Sequence, residues 1–173
     1  VADQQVQFSD VAPPAFAEQT FSSHLLRGNQ YKDGGQRIEA LGKIPDIIAG
    51  ASNDSELCLR IVNLLLQGIP HASFVAILQY AEPSQNPTDE SERSDDLNIL
   101  HWDCRGLVGH TFTPSAQLVK SATNSKQSVL HVWNRALVTS SSYTHSENID
   151  WAFCTPVESD ACPGWSIYVA GNL

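Results

Sequence analysis

Two apolar runs near the end of the chain restrict the fold most strongly. Residues 151–157 read WAFCTPV and residues 165–170 read WSIYVA, and the short link between them contains a Pro and a Gly. Both runs are rich in β-branched and aromatic residues, which favour strands. A link this short joins neighbouring antiparallel strands, so the two runs predict a hairpin.

Three helices are predicted from apolar residues that recur every three or four positions. The first covers residues 36–50, and Pro45 should break or kink it. The second begins at a capping box of Asn53 and Glu56 and ends before Pro70. The apolar stripes consist of Ile38, Leu41, Ile44, Ile47 and Ile48 in the first helix, of Leu57, Ile61, Leu64 and Leu65 in the second, and of Leu118, Val119 and Ala122 in the third, residues 115–126.

The order of these elements indicates a mixed fold. Strands at residues 72–80, 97–103 and 128–133 complete the pattern helix, helix, strand, strand, helix, strand, strand, strand. The alternation is too irregular for a doubly wound parallel sheet. We therefore predict an α+β fold with a mostly antiparallel sheet of five to six strands and the helices on one face. Residues 1–35, with their Pro and Gly residues, are predicted to be a linker or wrapping arm with one short helix at residues 21–26.

The negative charge of the chain is concentrated in one connection. The sequence has 10 basic and 19 acidic residues, and residues 81–96 contain six of the acids and one base, which is -5 of the net -9. The chain also lacks a basic cluster, which argues against a nucleic-acid partner and an anionic membrane surface. No apolar run reaches the roughly 18 residues of a membrane-spanning helix. We interpret residues 81–96 as a solvated loop between two neighbouring antiparallel strands.

The four cysteines are widely spaced and form no Cys-x-x-Cys pair. Those in apolar patterns, at positions 58 and 154, are typical of buried free thiols in a reducing compartment. We therefore predict a cytoplasmic protein. The cysteines are Cys58, Cys104, Cys154 and Cys162.

Metal binding and catalysis are not predicted. His101 and Asp103 alternate onto one face of a strand that Cys104 follows, and His131 lies on a later strand. Such a mixed set without a second paired motif is a weak zinc signal. Nothing in the sequence positions a thiolate beside a base. Ordinary strand residues are the preferred interpretation of all four.

Several short motifs point to one family. In the closing hairpin a Cys-x-Pro at residues 154–156 is followed, after a turn and a strand, by Gly171 and Asn172. Earlier in the chain, FTPS at residues 112–115 precedes the third helix and QSVL at residues 127–130 begins the next strand. With this order of elements, the chain resembles a GAF domain, a fold related to the PAS domain. In GAF sheets the second and third strands lie at opposite edges, so the resemblance implies that His131 cannot join His101 and Asp103.

The resemblance covers residues 36–173. The strings RIEAL at residues 37–41 and AFCTPVES at residues 152–159 are similar to GAF modules that follow forkhead-associated domains in bacterial signalling proteins. This likeness implies a sensory or regulatory domain in signal transduction, with a forkhead-associated domain or an effector fused to it. The family's C-terminal helix normally follows the last strand, and this sequence, which ends at Leu173, is expected to lack it.

The resemblance also implies a small-molecule pocket. In GAF domains the connections that correspond to residues 104–114 and 134–150 fold over one face of the sheet, and aromatic walls suit such a site. Filling of the core is the alternative role for each aromatic residue. The chain lacks the family's Cys-His pair for bilin attachment and its cyclic-nucleotide signature, so no cofactor is predicted. The predicted ligand-binding residues are Trp102, His110, Phe112, Trp133, Tyr143 and Trp151.

Two other functions stay open. GAF domains commonly pair through their terminal helices, so the helices within residues 37–67 predict a homodimer, and the domain would then be a ligand-free interaction module. Free-methionine-sulfoxide reductases are GAF enzymes that need paired cysteines, and nothing in the sequence brings Cys104 and Cys162 together. We expect a domain without catalytic residues.

Overall fold

The computed structural model describes residues 17–27, 34–80, 97–106, 113–133 and 149–172. Within these ranges the chain forms six strands and four helices, so the α+β class is confirmed. The acidic segment 81–96 lies outside the described residues. In chain order the elements are β1 (Ala17–Phe21), α1 (Ser23–Arg27), α2 (Gly34–Gly50), α3 (Asp54–Gly68), β2 (Ala72–Tyr80), β3 (Leu97–Cys104), α4 (Ala116–Ser125), β4 (Ser128–Val132), β5 (Trp151–Pro156) and β6 (Trp165–Gly171).

The six strands form one antiparallel sheet in the order β1-β4-β5-β6-β2-β3. The predicted hairpin of β5 and β6 is confirmed, and so is the pairing of β2 with β3. Strand β1 was not predicted, because the sequence indicated a mostly irregular arm at residues 1–35. It pairs with β4 from Ala17 opposite Val132 to Phe21 opposite Ser128. The predicted short helix after this strand is present as α1.

The prediction that the helices lie on one face of the sheet was wrong. Alternate residues of β2 point to opposite faces, and both sets are buried. Phe74, Ala76 and Leu78 belong to the apolar cluster that includes α4. Val75 and Ile77 belong to a second cluster that includes α3. The sheet is therefore covered by α4 on one side, the α4 face, and by α3 on the other, the α3 face.

Helix α4 packs closely on its face of the sheet. Its predicted inward residues Leu118, Val119 and Ala122 are all fully buried, which confirms that stripe. The strand positions in the same cluster include small side chains such as Ala152 and Cys154, which allow a helix to approach the sheet. At the start of α4 the Ser115 side chain accepts a hydrogen bond from the Leu118 backbone N–H, as expected of an N-cap.

The buried line of α3 differs from its predicted stripe. Cys58, Val62 and Leu66 are the buried residues of this helix, whereas Ile61 and Leu65 are partly buried beside them. The inward face is thus centred one residue further along the chain than the spacing of leucines and isoleucines indicated. Burial of the free thiol of Cys58 confirms the sequence interpretation of that residue.

Helix α2 packs against α3 and makes no extensive contact with any described strand. It is one helix from Gly34 to Gly50, so Pro45, which was expected to break or kink it, does not break it. A proline in a helix leaves the carbonyl four residues earlier without its usual donor. That carbonyl belongs to Leu41, whose residue is 62% exposed, so water can supply the missing hydrogen bond.

Candidate functional site

Three of the six predicted ligand-binding residues lie outside the described residues. They are His110, Phe112 and Tyr143. The other three are Trp102 on β3, Trp133 directly after β4, and Trp151 at the start of β5.

The structure does not bring these three tryptophans to one site. Trp102 and Trp133 belong to the cluster on the α4 face, whereas Trp151 packs against the cluster on the α3 face. The Trp151 indole N–H also donates to the backbone oxygen of Asn172 at 3.4 Å. Strand alternation explains the separation, because Ala152 and Cys154 of the same strand point to the α4 face.

Trp102 and Trp133 lie at opposite ends of the α4 face. Strands β3 and β4 are separated by β2, β6 and β5, which is four strand spacings, or about 19 Å at about 4.8 Å each. Trp133 is only 8% exposed and contacts the His131 ring edge-on, with centroids 5.9 Å apart. A small molecule that touched both indoles would have to cross the area that α4 covers. Trp133 is therefore a core residue in this arrangement.

The β2–β3 end of the α4 face is less covered than the rest. Helix α4 makes most of its contacts with β5 and β4. Beyond it lie partly buried side chains that pack on the cluster without being enclosed by it. This area, the β2–β3 apolar surface, consists of Tyr80, Ile99, Trp102 and Cys104, with the buried Phe74 beneath. Tyr80 and Cys104 lie at opposite ends of this surface, because Cys104 pairs with Phe74, six residues before Tyr80 on β2, or about 20 Å away at about 3.3 Å per residue. Trp102 and Ile99 lie between them and can hold a planar or apolar group.

The thiol on this surface is a poor nucleophile. Burial raises the pKa of Cys104, and the negative charge of Asp103 raises it further. The Asp103 carboxylate accepts a hydrogen bond of 2.8 Å from the Cys104 backbone N–H, which keeps that charge close. The thiol is therefore protonated at neutral pH, and a protonated thiol attacks electrophiles slowly.

Of the other three cysteines, two also have raised pKa values, and the third lies away from Cys104. Burial raises the pKa of Cys154 to about 12. Burial is also the main cause that raises the pKa of Cys58, with smaller contributions from the charges of Asp54 and Cys162. Cys162 lies three residues before Trp165, which pairs with Gln79 towards one end of β2, whereas Cys104 pairs with Phe74 towards the other end and packs on the α4 face. All four cysteines are free thiols.

The residues considered for a metal site are likewise distributed over the sheet. Burial lowers the pKa of His101, which the charge of Asp103 partly opposes, so the imidazole is neutral at neutral pH. His131 lies on β4, across the sheet, where its Nε2 is 2.8 Å from the Glu18 carboxylate. Strand β4 was expected at the sheet edge, but β1 covers that edge. Within the described ranges no three His, Cys, Asp or Glu side chains are grouped to hold a metal ion.

A separate cleft lies between α2, α3 and the end of β3. Its volume is about 390 Å³, and Lys43, Gln67 and Arg105 are among the residues that line it. Lys43 is paired with Glu39 at 3.1 Å. The Arg105 guanidinium donates to the backbone oxygens of Leu66 and Pro70 and thus caps the C-terminal end of α3. Arg105 carries no sequence signal for this role, because no local pattern links it to a helix more than thirty residues earlier.

No protein-family model matches this chain, and neither a curated protein nor a solved structure matches it. Among the helices of the described residues, none has the length and apolar character to cross a membrane.

Proposed function

We propose that this protein is a GAF-like sensory or regulatory domain that binds a small molecule and modulates a fused effector. The order of the strands supports this proposal, because the resemblance expects the second and third strands of the GAF core far apart in the sheet. Here β3 and β4 are separated by three strands, and α4 lies in the connection between them. The closing hairpin ends in the Gly171-Asn172 pair of the resemblance. A cytoplasmic bacterial signalling protein remains the expected context.

The β2–β3 apolar surface is the observation that carries the ligand-binding proposal. Trp102 is only partly buried there, although it packs on a cluster whose central members, such as Ala76 and Leu78, are fully buried. A ligand seated beside α4 would contact Trp102, Tyr80 and Ile99. Of the six residues predicted as ligand-binding, Trp102 is thus the described one that we retain. Binding would favour one packing of the adjoining connections, and the helices would transmit the shift in population.

The first experiment is a thermal-shift screen of the intact chain with cyclic nucleotides and other metabolites, followed by native mass spectrometry. A ligand at a hundred times its Kd should stabilise the fold by about 2.7 kcal/mol. For a chain of this size that corresponds to a rise of roughly 5–10 °C in Tm. Trp102→Ala removes the largest contact surface. It should therefore raise the ligand concentration needed for a given rise in Tm at least about tenfold.

Trp165→Ala is the matched control, because Trp165 packs on the α3 face. Its Tm without ligand should fall, whereas its rise in Tm with saturating ligand should equal that of the unchanged protein. A screen in which no compound raises Tm and no mass is added would contradict the sensory proposal. A ligand whose binding Trp102→Ala leaves unchanged would contradict the proposed location.

Dimerisation is the second candidate function, and the exposed stripe of α2 supports it. Ile38 is 72% exposed, Leu41 62% and Ile48 59%, although all three belong to an apolar stripe that the sequence predicted. Contiguous apolar side chains on a surface commonly mark an interaction site. We infer that two copies pair through α2, within the predicted range 37–67, whether or not the domain also binds a ligand.

Analytical ultracentrifugation tests this pairing directly. The unchanged protein should sediment as a dimer at micromolar concentration, and Leu41→Glu should sediment as a monomer with the same circular dichroism spectrum. Gln67→Glu places the same charge on the exposed surface of α3 and should leave the dimer intact. A monomer at all concentrations for the unchanged protein would refute the dimer.

A free-methionine-sulfoxide reductase is the weaker alternative. It requires a reactive cysteine pair, and the raised pKa of Cys104 and its position on the α4 face weigh against a pair with Cys162. Reductase activity that is present in the unchanged protein and lost on replacement of both cysteines by Ser would support this alternative over the sensory proposal.

A further inference from the structure

Strand β1 differs from the other five strands because it adds nothing to either apolar cluster. Glu18, Gln19 and Thr20 are exposed, and Ala17 and Phe21 are only partly buried. Among the described residues, neither the cluster on the α4 face nor that on the α3 face includes a β1 side chain. Among the elements that the structure describes, β4 is the only one with which β1 makes extensive contact. Within these described residues the strand is therefore held chiefly by its backbone ladder.

One side-chain contact adds to this ladder. His131 of β4 lies directly opposite Glu18 in the register, and its Nε2 is 2.8 Å from a Glu18 carboxylate oxygen. The two partners differ in exposure, since the His131 side chain is 6% exposed and that of Glu18 is 52% exposed. The histidine thus belongs to the body of the domain, and it presents one ring nitrogen to the strand that lies along the β4 edge.

This arrangement has the properties of a peptide-docking edge. A strand added to a sheet edge binds through main-chain hydrogen bonds, which require no particular sequence, and side-chain contacts at fixed register positions give selectivity. Here β1 uses the backbone of residues 17–21 and a single carboxylate. The net gain from such hydrogen bonds is of the same order as the cost of ordering the strand, so β1 can leave the edge without opening the core.

We propose that the β4 edge is a docking site for an extended segment of a partner protein, and that β1 occupies it as an internal, exchangeable strand. The partner segment would carry an acidic side chain in register with His131. This site is independent of the small-molecule proposal, because it involves the edge farthest from the β2–β3 apolar surface.

The test uses the full chain with its own strand disabled. In Gln19→Pro/Thr20→Pro, two adjacent backbone N–H groups are lost, and because neighbouring residues alternate in direction along a ladder, one of them faces β4. A fluorescent peptide with the sequence of residues 15–23, AFAEQTFSS, is then titrated into this variant and into the unchanged protein. The peptide should bind the variant at least about tenfold more tightly, because the internal strand no longer competes at high effective concentration.

Two control peptides define the recognition. A peptide with Glu18→Gln should bind the variant roughly three- to tenfold more weakly, because it lacks the charge-assisted hydrogen bond to His131. A peptide with the same two prolines should not bind. Hydrogen exchange of the unchanged protein provides a second measurement that needs no variant. The β1 amides should exchange at least about tenfold faster than those of β6, which lies inside the sheet.

Three results would overturn the proposal. A folded double-proline variant that fails to bind the peptide would show that the edge does not accept a strand in trans. A double-proline variant that fails to fold would show that β1 is an integral part of the domain. Exchange of the β1 amides as slow as that of β6 would show that the strand does not leave the edge.

Discussion

Helices α2 and α3 follow one another along the chain and have similar lengths, yet they lie in different environments. Each carries an apolar stripe in the sequence. In α3, Val62 is fully buried and Leu66 is 7% exposed, and both pack on the sheet. In α2, Leu41 and Ile48 are exposed, and the helix packs on α3 as an outer layer.

The difference shows what an amphipathic pattern does and does not predict. The stripe indicates a surface that gains from burial, but the order of layers decides which helix obtains the sheet. The polar features of the two helices follow the same division. Helix α3 has an N-cap at Asn53 and two acidic residues in its first turn, whereas α2 has no acid there and contains Pro45. Helix α3, which has the stronger local helix signals, is thus the one that packs on the core.

The largest expected effect is that of a charge in the inner helix. Val62→Asp places a carboxylate in a cluster of apolar side chains, which should lower the free energy of unfolding by more than about 4 kcal/mol. Ile48→Asp puts the same group on the outer helix, where the residue is 59% exposed, and should cost about 0.5 kcal/mol. Both substitutions are made in the monomeric Leu41→Glu variant, and urea denaturation followed by circular dichroism measures the two losses. Equal losses would show that α2 is buried in solution and would remove the distinction.

The second effect concerns the proline of the outer helix. Proline in a helix interior is about 3 kcal/mol less favourable than alanine, and glycine about 1 kcal/mol. Pro45→Ala should therefore slow hydrogen exchange of the α2 amides by up to about a hundredfold. Gly42→Ala should slow it about fivefold, since a methyl group there meets no atom within 4 Å. Amides of α3 serve as the internal reference and should change little. If Pro45→Ala leaves the exchange rates of the α2 amides unchanged, the helix propensities of its residues do not limit the stability of α2.

The strands were the most predictable part of the fold. Their density of β-branched and aromatic residues located β2 to its observed bounds and the other four core strands to within about two residues at each end. Strand β1 could not be found in this way, because AEQTF has polar residues at its centre and its partner β4 lies more than a hundred residues further on. A pairing of this kind depends on an available edge, which is a property of the assembled sheet.

The covering of the sheet on both faces has a signal in the sequence of β2. In ASFVAILQY both alternating sets of positions are apolar, a pattern typical of strands buried on both faces. The candidate site was less predictable. Trp102 lies on the α4 face, as expected, but Trp151 lies on the α3 face. Which face a given strand residue points to depends on the register of the strand in the sheet, and the sequence of the strand does not specify that register. The capping role of Arg105 could not be predicted, because it depends on where the C-terminal end of α3 lies in the folded structure.

The smallest expected effect is on pH-dependent stability. It compares a carboxylate at the N-terminal end of α3 with one on the surface of α2. Hydrogen bonds from the Ser52 side chain and backbone, followed by the Arg60 guanidinium, lower the pKa of Glu56 to about 2. A carboxylate whose pKa is lowered on folding stabilises the protein above its unfolded pKa, and this contribution is lost as the pH falls through the folded pKa. The unchanged protein should thus exceed Glu56→Gln in stability at pH 6, and the difference should shrink from about pH 4.5 to about pH 2. Glu39→Gln removes an exposed partner of Lys43 on α2 and should have little effect at pH 6. Urea midpoints at pH 6, 4 and 2.5 measure this difference, and a constant gap between Glu56→Gln and the unchanged protein would contradict a cap that depends on the ionised carboxylate.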